Sequence, residues 1–392
     1  MKKILISNKF YYNRGGDCVA SLSLEKLLRE KGHPVAFFSM KHPLNFTSEW
    51  ESFFIPSINF SGNIKEKIKA TNRIFYSQTV KKNFLRLIDE FKPDIVHLNN
   101  IHSYISPYIG EIAHKKGIKV IWSLHDYKLV CPTYLCLRNG KTCDLCIKRG
   151  PFNVLTNKCM KNSLSASILA YLEAIVWNKK RLAKNTNKFI APSNFMKEKM
   201  ILGGFPSNKL HTLPHFTNRQ FTPAHQTKQN YYCFVGRLSE EKGLKTLINV
   251  AKQLPYKLIV IGTGPLKDSF NLNNKTNIEF VGFKEWDEIQ SIIKNAKFLV
   301  SPSECFEVFG LSNIEAQCLG TPVLGANIGG IPEVIEEHQN GLLFESGNSD
   351  DLKEKIELMF RTPFDYTTIS QKAREKYSAE NYYQELIKIY NE

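Results

Sequence analysis

The chain lacks long apolar runs. No stretch of 18 consecutive apolar residues occurs among its 392 residues, so no membrane-spanning helix is expected. The start, MKKILISNKFYY, has only "ILI" between its lysines and the polar Ser7, Asn8 and Lys9. That run is too short for a signal-peptide core and reads as a first buried strand, so a cytoplasmic protein is expected. Acids are scarce in the first half. Residues 1–217 hold 34 Lys and Arg against 14 Asp and Glu, a net charge of +20, whereas the remainder carries −4. Such a half suits an anionic partner: nucleic acid, a membrane surface or an acidic substrate. Zinc-finger spacing and an aromatic RNP-like run are both missing, so no nucleic-acid module is expected. Short repeats and low-complexity tracts are missing too. With 42% apolar and 23% charged residues the chain has the composition of a folded protein, and its length exceeds one ordinary core.

What is present is an alternation. "KKILIS", "PVAFFS", "DIVHLNN", "KVIWSLHD" and "KFIAPSN" are short apolar runs followed by polar residues, separated by helical or basic stretches. Between the first two, Val19, Leu22, Leu24, Leu27 and Leu28 have helical spacing, and the pattern stops at Gly32. Strand, helix, strand in this rhythm predicts a parallel sheet covered on both faces. Residues 216–230 lose periodicity and read as a linker. The alternation then restarts with "YYCFVG", "YKLIVIG", "NIEFVG", "KFLVSPS" and "TPVLGA". The expected class is therefore α/β, with two doubly wound Rossmann-like domains at 1–217 and 218–377, facing across a cleft. Ligands of such sheets bind beyond the carboxyl ends of the strands.

After "KFLVSPS" comes "ECFEVFGLSNIEAQCLG", an apolar stretch that carries Glu307 and Glu315 with seven residues between them. Charges are seldom placed in a buried segment without a partner. Gly310 precedes a helical pattern, so the backbone N–H groups around Phe309, Gly310 and Leu311 would point from a helix start, a ready anion site. A carboxylate accepts two hydroxyl donors at once, as from a ribose diol or a sugar ring. One phosphate end and two carboxylates describe a nucleotide-sugar. "FVGRLSEEKGL" puts Arg237 and Lys242 in a loop after a strand, where both can reach a diphosphate or form an ordinary exposed basic pair. "GTGP", with Gly264, and "RGGDC", with Gly15 and Gly16, are glycine turns after strands; each allows close backbone approach or is a plain turn.

In their order and spacing, the glycine pair, "HD", "GRLSEEKG", "GTGP", the E-x7-E segment and "GGIPE" resemble the retaining glycosyltransferases of family 4. The resemblance covers most of the chain and implies the GT-B fold, with the last helix (378–392) packing back on the first domain. It implies that Glu315 holds the donor ribose, that Glu307 contacts the transferred sugar, and that Arg237, Lys242 and the amides of Gly310 and Leu311 neutralise the departing diphosphate. Gly15 and Gly16 would close over the donor, His125 would lie near the sugar, and Val281 would pass near the base. It also implies an acceptor that is a glycan or lipid-linked saccharide, and transfer needing no metal cofactor. A nucleotide-sugar 2-epimerase or a non-catalytic glycan-binding subunit would share the fold.

Two features lie outside that pattern. Cys131, Cys136, Cys143, Cys146 and Cys159 cluster in sequence, and Cys143-x2-Cys146 has metal-ligand spacing. They read as a structural zinc site or as a loop of reduced thiols. Cys18, Cys233, Cys305 and Cys318 read as small packing residues. Residues 63–91, basic and aliphatic, and 163–177, apolar but too short to span, read either as domain helices or as contacts with an anionic membrane. A peripheral position at the inner face of the cytoplasmic membrane is the corresponding expectation.

Overall fold

The structure is a computed structural model that describes residues 1–60, 62–222, 227–270 and 277–392. Residues 223–226 of the expected linker lie outside the described residues. Two compact units are formed. One comprises Met1–Cys136, Cys143–Phe216 and Tyr382–Glu392, the other Leu137–Thr142 and Thr217–Asn381.

The first unit carries the strands β1 (Ile4–Ser7), β2 (Val35–Phe38), β3 (Ile95–Leu98) and β4 (Lys119–Ser123). The helices α1 (Gly16–Glu30), α2 (Ile64–Phe75), α3 (Gln78–Phe91) and α4 (Tyr108–Lys115) intervene. A small antiparallel ribbon, β5 (Leu137–Arg138) with β6 (Lys141–Thr142), follows along the chain but belongs to the other unit. After it come α5 (Leu145–Arg149), α6 (Asn153–Thr156), α7 (Leu164–Val176), α8 (Lys179–Lys184), β7 (Lys188–Ala191), α9 (Asn194–Leu202) and β8 (Leu210–Thr212). The six strands form one parallel sheet in the order β2-β1-β3-β4-β7-β8. β1 to β3 are buried at every position, as a strand covered on both faces requires.

The second unit repeats the plan. Its elements are β9 (Tyr231–Val235), α10 (Leu244–Ala251), β10 (Lys257–Ile261), β11 (Ile278–Gly282), α11 (Trp286–Asn295) and β12 (Leu299–Ser301). They continue with α12 (Leu311–Cys318), β13 (Val323–Ala326), β14 (Gly341–Phe344), α13 (Ser349–Arg361) and α14 (Tyr366–Lys376). The sheet is parallel, in the order β11-β10-β9-β12-β13-β14. Alternation along the strands divides the core in two. Tyr232, Phe234, Leu258 and Val260 join one apolar cluster, and Tyr231, Cys233, Ile259 and Ile261 join the other. Cys18, Cys233, Cys305 and Cys318 are buried, as packing residues should be.

The last helix, α15 (Ala379–Asn391), completes the first unit from Tyr382 onward. Its Tyr390 Oη lies 2.6 Å from His97 Nδ1 on β3, and His97 Nε2 lies 2.7 Å from Ser123 Oγ on β4. His97 is fully buried, and burial pushes its pKa down to about 3. An unfolded histidine titrates near 6.5. Between those values the unfolded chain binds a proton that the folded chain refuses, so stability rises with pH across the window. Acidification below about pH 6.5 is therefore expected to cost about 1.4 kcal/mol per pH unit through this residue. His97→Gln should make the fall in melting temperature between pH 6.5 and 5 shallower without abolishing it, because burial also lowers His102 and His215 to about 3; an unchanged slope would argue that other groups set it.

Candidate functional site

In each sheet the chain starts at an inner strand and winds outward in both directions. The reversal falls between β9 and β12 in the second unit and between β1 and β3 in the first. Loops at the carboxyl ends of these strands diverge and leave a crevice. Most of the residues singled out from sequence sit on those loops.

In the second unit, the loop after β9 carries Arg237 and ends in a single 3-10 turn, Glu240–Lys242. Gly243 closes that turn at φ 68°, where a Cβ would lie 1.7 Å from the Pro302 carbonyl oxygen. The glycine is thus what lets the Lys242 turn approach the end of β12. Lys242 Nζ forms an ion pair with Glu307 Oε1, and Ser303 Oγ donates to the same oxygen at 2.6 Å. Burial pushes Glu307 up, but the Lys242 charge and these hydrogen bonds outweigh it and hold the carboxyl below its ordinary value. Burial likewise lowers Lys242, and the Glu307 carboxylate more than restores it, so both remain charged. Arg237 is exposed and has no ion pair among the described residues.

Gly310 caps α12 at φ 93°, and no side chain caps the helix. Phe309 is buried against Tyr377, with ring centroids 6.1 Å apart, so only its backbone faces the loop's chemistry. Asn313 in the first turn is fully buried, and both of its amide atoms lack a partner. An orphaned buried amide beside open helix N–H groups is unusual and marks a place where a polar group belongs. Glu315, one turn further in, accepts from Arg219 Nε at 2.6 Å, and the Arg219 guanidinium lies 4.0 Å from the Trp286 ring centroid. Burial raises the Glu315 carboxyl, and Arg219 only partly offsets it. Val281 lies at the carboxyl end of the edge strand β11, two strands from β9.

Two glycine motifs acquire packing reasons. A Cβ on Gly264 would fall 2.4 Å from the Leu238 carbonyl oxygen, so "GTGP" is small where its loop crosses the loop after β9. A Cβ on Gly329, at φ 63°, would fall 2.4 and 2.5 Å from the Glu307 carbonyl oxygen and nitrogen. Gly330 N donates to that same carbonyl at 2.8 Å. "GGIPE" is thus the floor on which Glu307 rests.

In the first unit, Gly15 is the N-cap of α1 in extended backbone, and Gly16 begins the helix. His125 follows β4. Its Nε2 lies 2.9 Å from Asn99 Oδ1, and its Nδ1 is buried without a partner. The ring stacks on His215 at 5.5 Å, with 5° between the planes. Around it lies a polar network that sequence reasoning missed. Lys9 Nζ is 3.4 Å from Asp17 Oδ2, and Asn100 Nδ2 donates to Asp17 at 3.0 Å and to Asp126 at 3.3 Å. Burial raises Asp126. Asp17 is buried as well, yet Lys9 and His125 bring its carboxyl below the ordinary value. The signal was the run of polar residues directly after each strand, "LNN" and "HD". In the second unit Arg219, Ser303 and Asn313 were also missed; they sit in a segment read as linker, at the end of a strand-like run and in an apolar-looking helix.

The five clustered cysteines are all free thiols. Among the described residues no group of three or more His, Cys, Asp or Glu side chains is arranged to hold a metal ion. Cys131 and Cys136 are buried free thiols joined by a hydrogen bond, which holds the Cys131 thiol low and, with burial, pushes Cys136 up. Cys143, Cys146 and Cys159 are only half buried.

Two parallel Rossmann-like sheets, with loops gathered at the carboxyl ends of their inner strands, define the GT-B class. The solved sucrose-phosphate synthase from Thermosynechococcus elongatus has the same fold, with a TM-score of 0.72 over 100% of this chain and 98% of that one, at 17% identity. The family model for Glycosyltransferase Family 4 matches residues 19–221, and that for Glycosyl transferases group 1 matches residues 216–376. The chain belongs to glycosyltransferase family 4. It is 30% identical over 215 residues to an uncharacterized glycosyltransferase of Methanocaldococcus jannaschii, covering 53% of this chain and 60% of that protein. It is also 28% identical over 355 residues to an uncharacterized 42.6 kDa protein in the cps region of Klebsiella pneumoniae, covering 85% of this chain and 87% of the other. No helix among the described residues is long and apolar enough to cross a membrane.

Proposed function

We propose that this protein is a retaining glycosyltransferase. It moves a sugar from a UDP- or GDP-sugar to a glycan or lipid-linked saccharide in surface polysaccharide assembly. The observation that carries the reading is the grouping at the β9/β12 crevice: the charged Lys242–Glu307 pair, the uncapped start of α12 and Glu315 one turn inside it. The similarity to a cps-region protein supports the polysaccharide assignment.

Breaking the anomeric bond leaves positive charge on the sugar and negative charge on the diphosphate. Fixed donors aimed at the diphosphate stabilise that separation. In this reading Lys242, Arg237 and the Gly310 and Leu311 amides receive the diphosphate. Glu307 faces the sugar, Glu315 takes the ribose hydroxyls, and Val281 runs beside the base. Two cations and a helix start balance the leaving charge, so transfer proceeds without a divalent metal. The basic first unit, with Gly15, Gly16 and His125, serves the acceptor and the sugar, at the inner face of the cytoplasmic membrane.

A melting-temperature panel of UDP-, GDP-, ADP-, CMP- and dTDP-sugars, with and without magnesium, tests this. A ligand at 100 times its Kd stabilises the fold by about 2.7 kcal/mol. One nucleotide series is expected to raise the wild-type melting temperature equally with and without magnesium, and to leave Glu315→Ala unshifted. No shift with any donor would sink the reading.

A further inference from the structure

Helix α7 is inverted relative to an ordinary surface helix. Its inward positions are Ser167, Ala170 and Glu173, all buried. Its outward positions are Leu164, Ile168, Leu172 and Ile175, exposed by 52%, 43%, 44% and 45%. The spacing of four, four and three residues makes them one stripe.

The inward polar groups are all engaged. Ser167 Oγ accepts from Met160 N at 3.1 Å. Glu173 pairs with Lys128 at 2.9 Å and accepts from the Ser103 amide and hydroxyl at 3.1 and 2.9 Å. These contacts fix the rotation of the helix, so the aliphatic stripe cannot turn inward without stranding a buried carboxylate. Aromatic side chains flank the stripe. Phe152, 57% exposed, lies edge-on to Tyr171 at 5.9 Å, and Tyr76, 46% exposed, lies 5.6 Å from Trp177. The neighbouring α2 adds the exposed Ile64 and Ile68 among Lys65, Lys67 and Lys69.

The charges around the stripe select its occupant. Residues 145–197 carry ten Lys and Arg and a single acid, the buried Glu173. Lys158, Lys161, Lys179 and Lys180 are exposed just before and after the helix. A second copy docked here would meet an equally positive rim. An anionic bilayer offers hydrocarbon to the stripe and phosphate to the lysines, with amphipathic aromatics at the boundary.

We propose that the outward face of α7, edged by Phe152, Tyr76 and α2, is a docking surface that seats the protein on an anionic lipid bilayer. It rests on the proposed function only in that a lipid-linked acceptor gives the docking a use. The same helix holds, through Glu173 and Lys128, the loop that carries His125, since Lys128 N donates to Asp126 at 2.8 Å. Seating the helix therefore bears on the acceptor-side loop directly.

Co-sedimentation with vesicles of phosphatidylethanolamine containing about 30% phosphatidylglycerol tests the surface, with pure phosphatidylcholine as comparison. The wild type is expected to pellet with the anionic vesicles, less so in high salt, and weakly with phosphatidylcholine. Ile168→Asp with Leu172→Asp should lower the bound fraction by about tenfold or more. Both positions are exposed, so the double variant should keep its melting temperature and its donor-induced shift. That shift, read without vesicles, separates failure of the surface from failure of the functional reading. Binding of the double variant equal to wild type, no wild-type binding to anionic vesicles, or a solution dimer that the double variant breaks would each overturn the proposal.

Discussion

Lys242→Ala is expected to lower turnover by about 10²–10³-fold, the usual loss when one fixed donor to a developing anion is removed. The lysine acts twice. In the proposed reaction it meets the departing diphosphate, and in the free protein it keeps Glu307 charged. Without it, burial is the main influence left on the Glu307 carboxyl, and burial raises its pKa. The sign of the pH effect follows. In the wild type the folded carboxyl lies below its unfolded value, so its stabilising contribution is present above the unfolded pKa and is lost as pH falls through the folded one. In Lys242→Ala the folded value moves upward, and the acid limb of the rate profile should move to higher pH. Lys242→Arg, which keeps the charge, should restore that limb in part. A Lys242→Ala protein with near-normal turnover and an unmoved acid limb would exclude the assigned role.

Gly329→Ala should cost about 2–4 kcal/mol of stability, although Gly329 has no side chain to lose. Its backbone is left-handed, and the added Cβ would meet the Glu307 carbonyl oxygen and nitrogen at 2.4 and 2.5 Å. Neither is a flexible side-chain end, so the Glu307 loop has to move. In the proposed reaction Glu307 faces the transferred sugar, and a displacement of about 1 Å at such a group costs on the order of 10² in rate. Melting temperature and turnover should therefore fall together. Gly347, at φ 78° with nothing within 4 Å of a built Cβ, is the control. Gly347→Ala carries only the backbone strain and should leave turnover unchanged. Equal effects at the two glycines would mean that the close approach at Glu307 is unimportant.

Glu307, Gly310 and Glu315 were legible as a group because they lie within one strand–loop–helix segment, where spacing along the chain is spacing in space. The partners of the two acids were legible to different degrees. Lys242 was suspected from its own loop, 65 residues earlier. Arg219, 96 residues before Glu315, sat in a stretch without periodicity and gave no signal. The polar network of Lys9, Asp17, Asn100 and Asp126 escaped for a related reason, since its members come from the segments after three different strands, β1, β3 and β4. The cysteines are close enough in the fold to perturb one another's ionisation, which their closeness along the chain had suggested.

The order of short apolar runs determined two parallel, doubly wound sheets, because strands buried on both faces must be continuously apolar and joined by crossovers. The glycines determined where backbones could approach closely. Composition determined that positive charge is concentrated in the first half. Only the tertiary structure decided strand order, which places the switch points and hence the loops that meet. It alone decided that Glu307 stays ionised beside Lys242 while Glu315 is raised by burial. It alone decided the rotation of α7, where bonds from Ser103, Lys128 and Met160 draw the polar residues inward and turn the aliphatic stripe to the outside. Periodicity finds an amphipathic face, and long-range hydrogen bonds determine which way it looks.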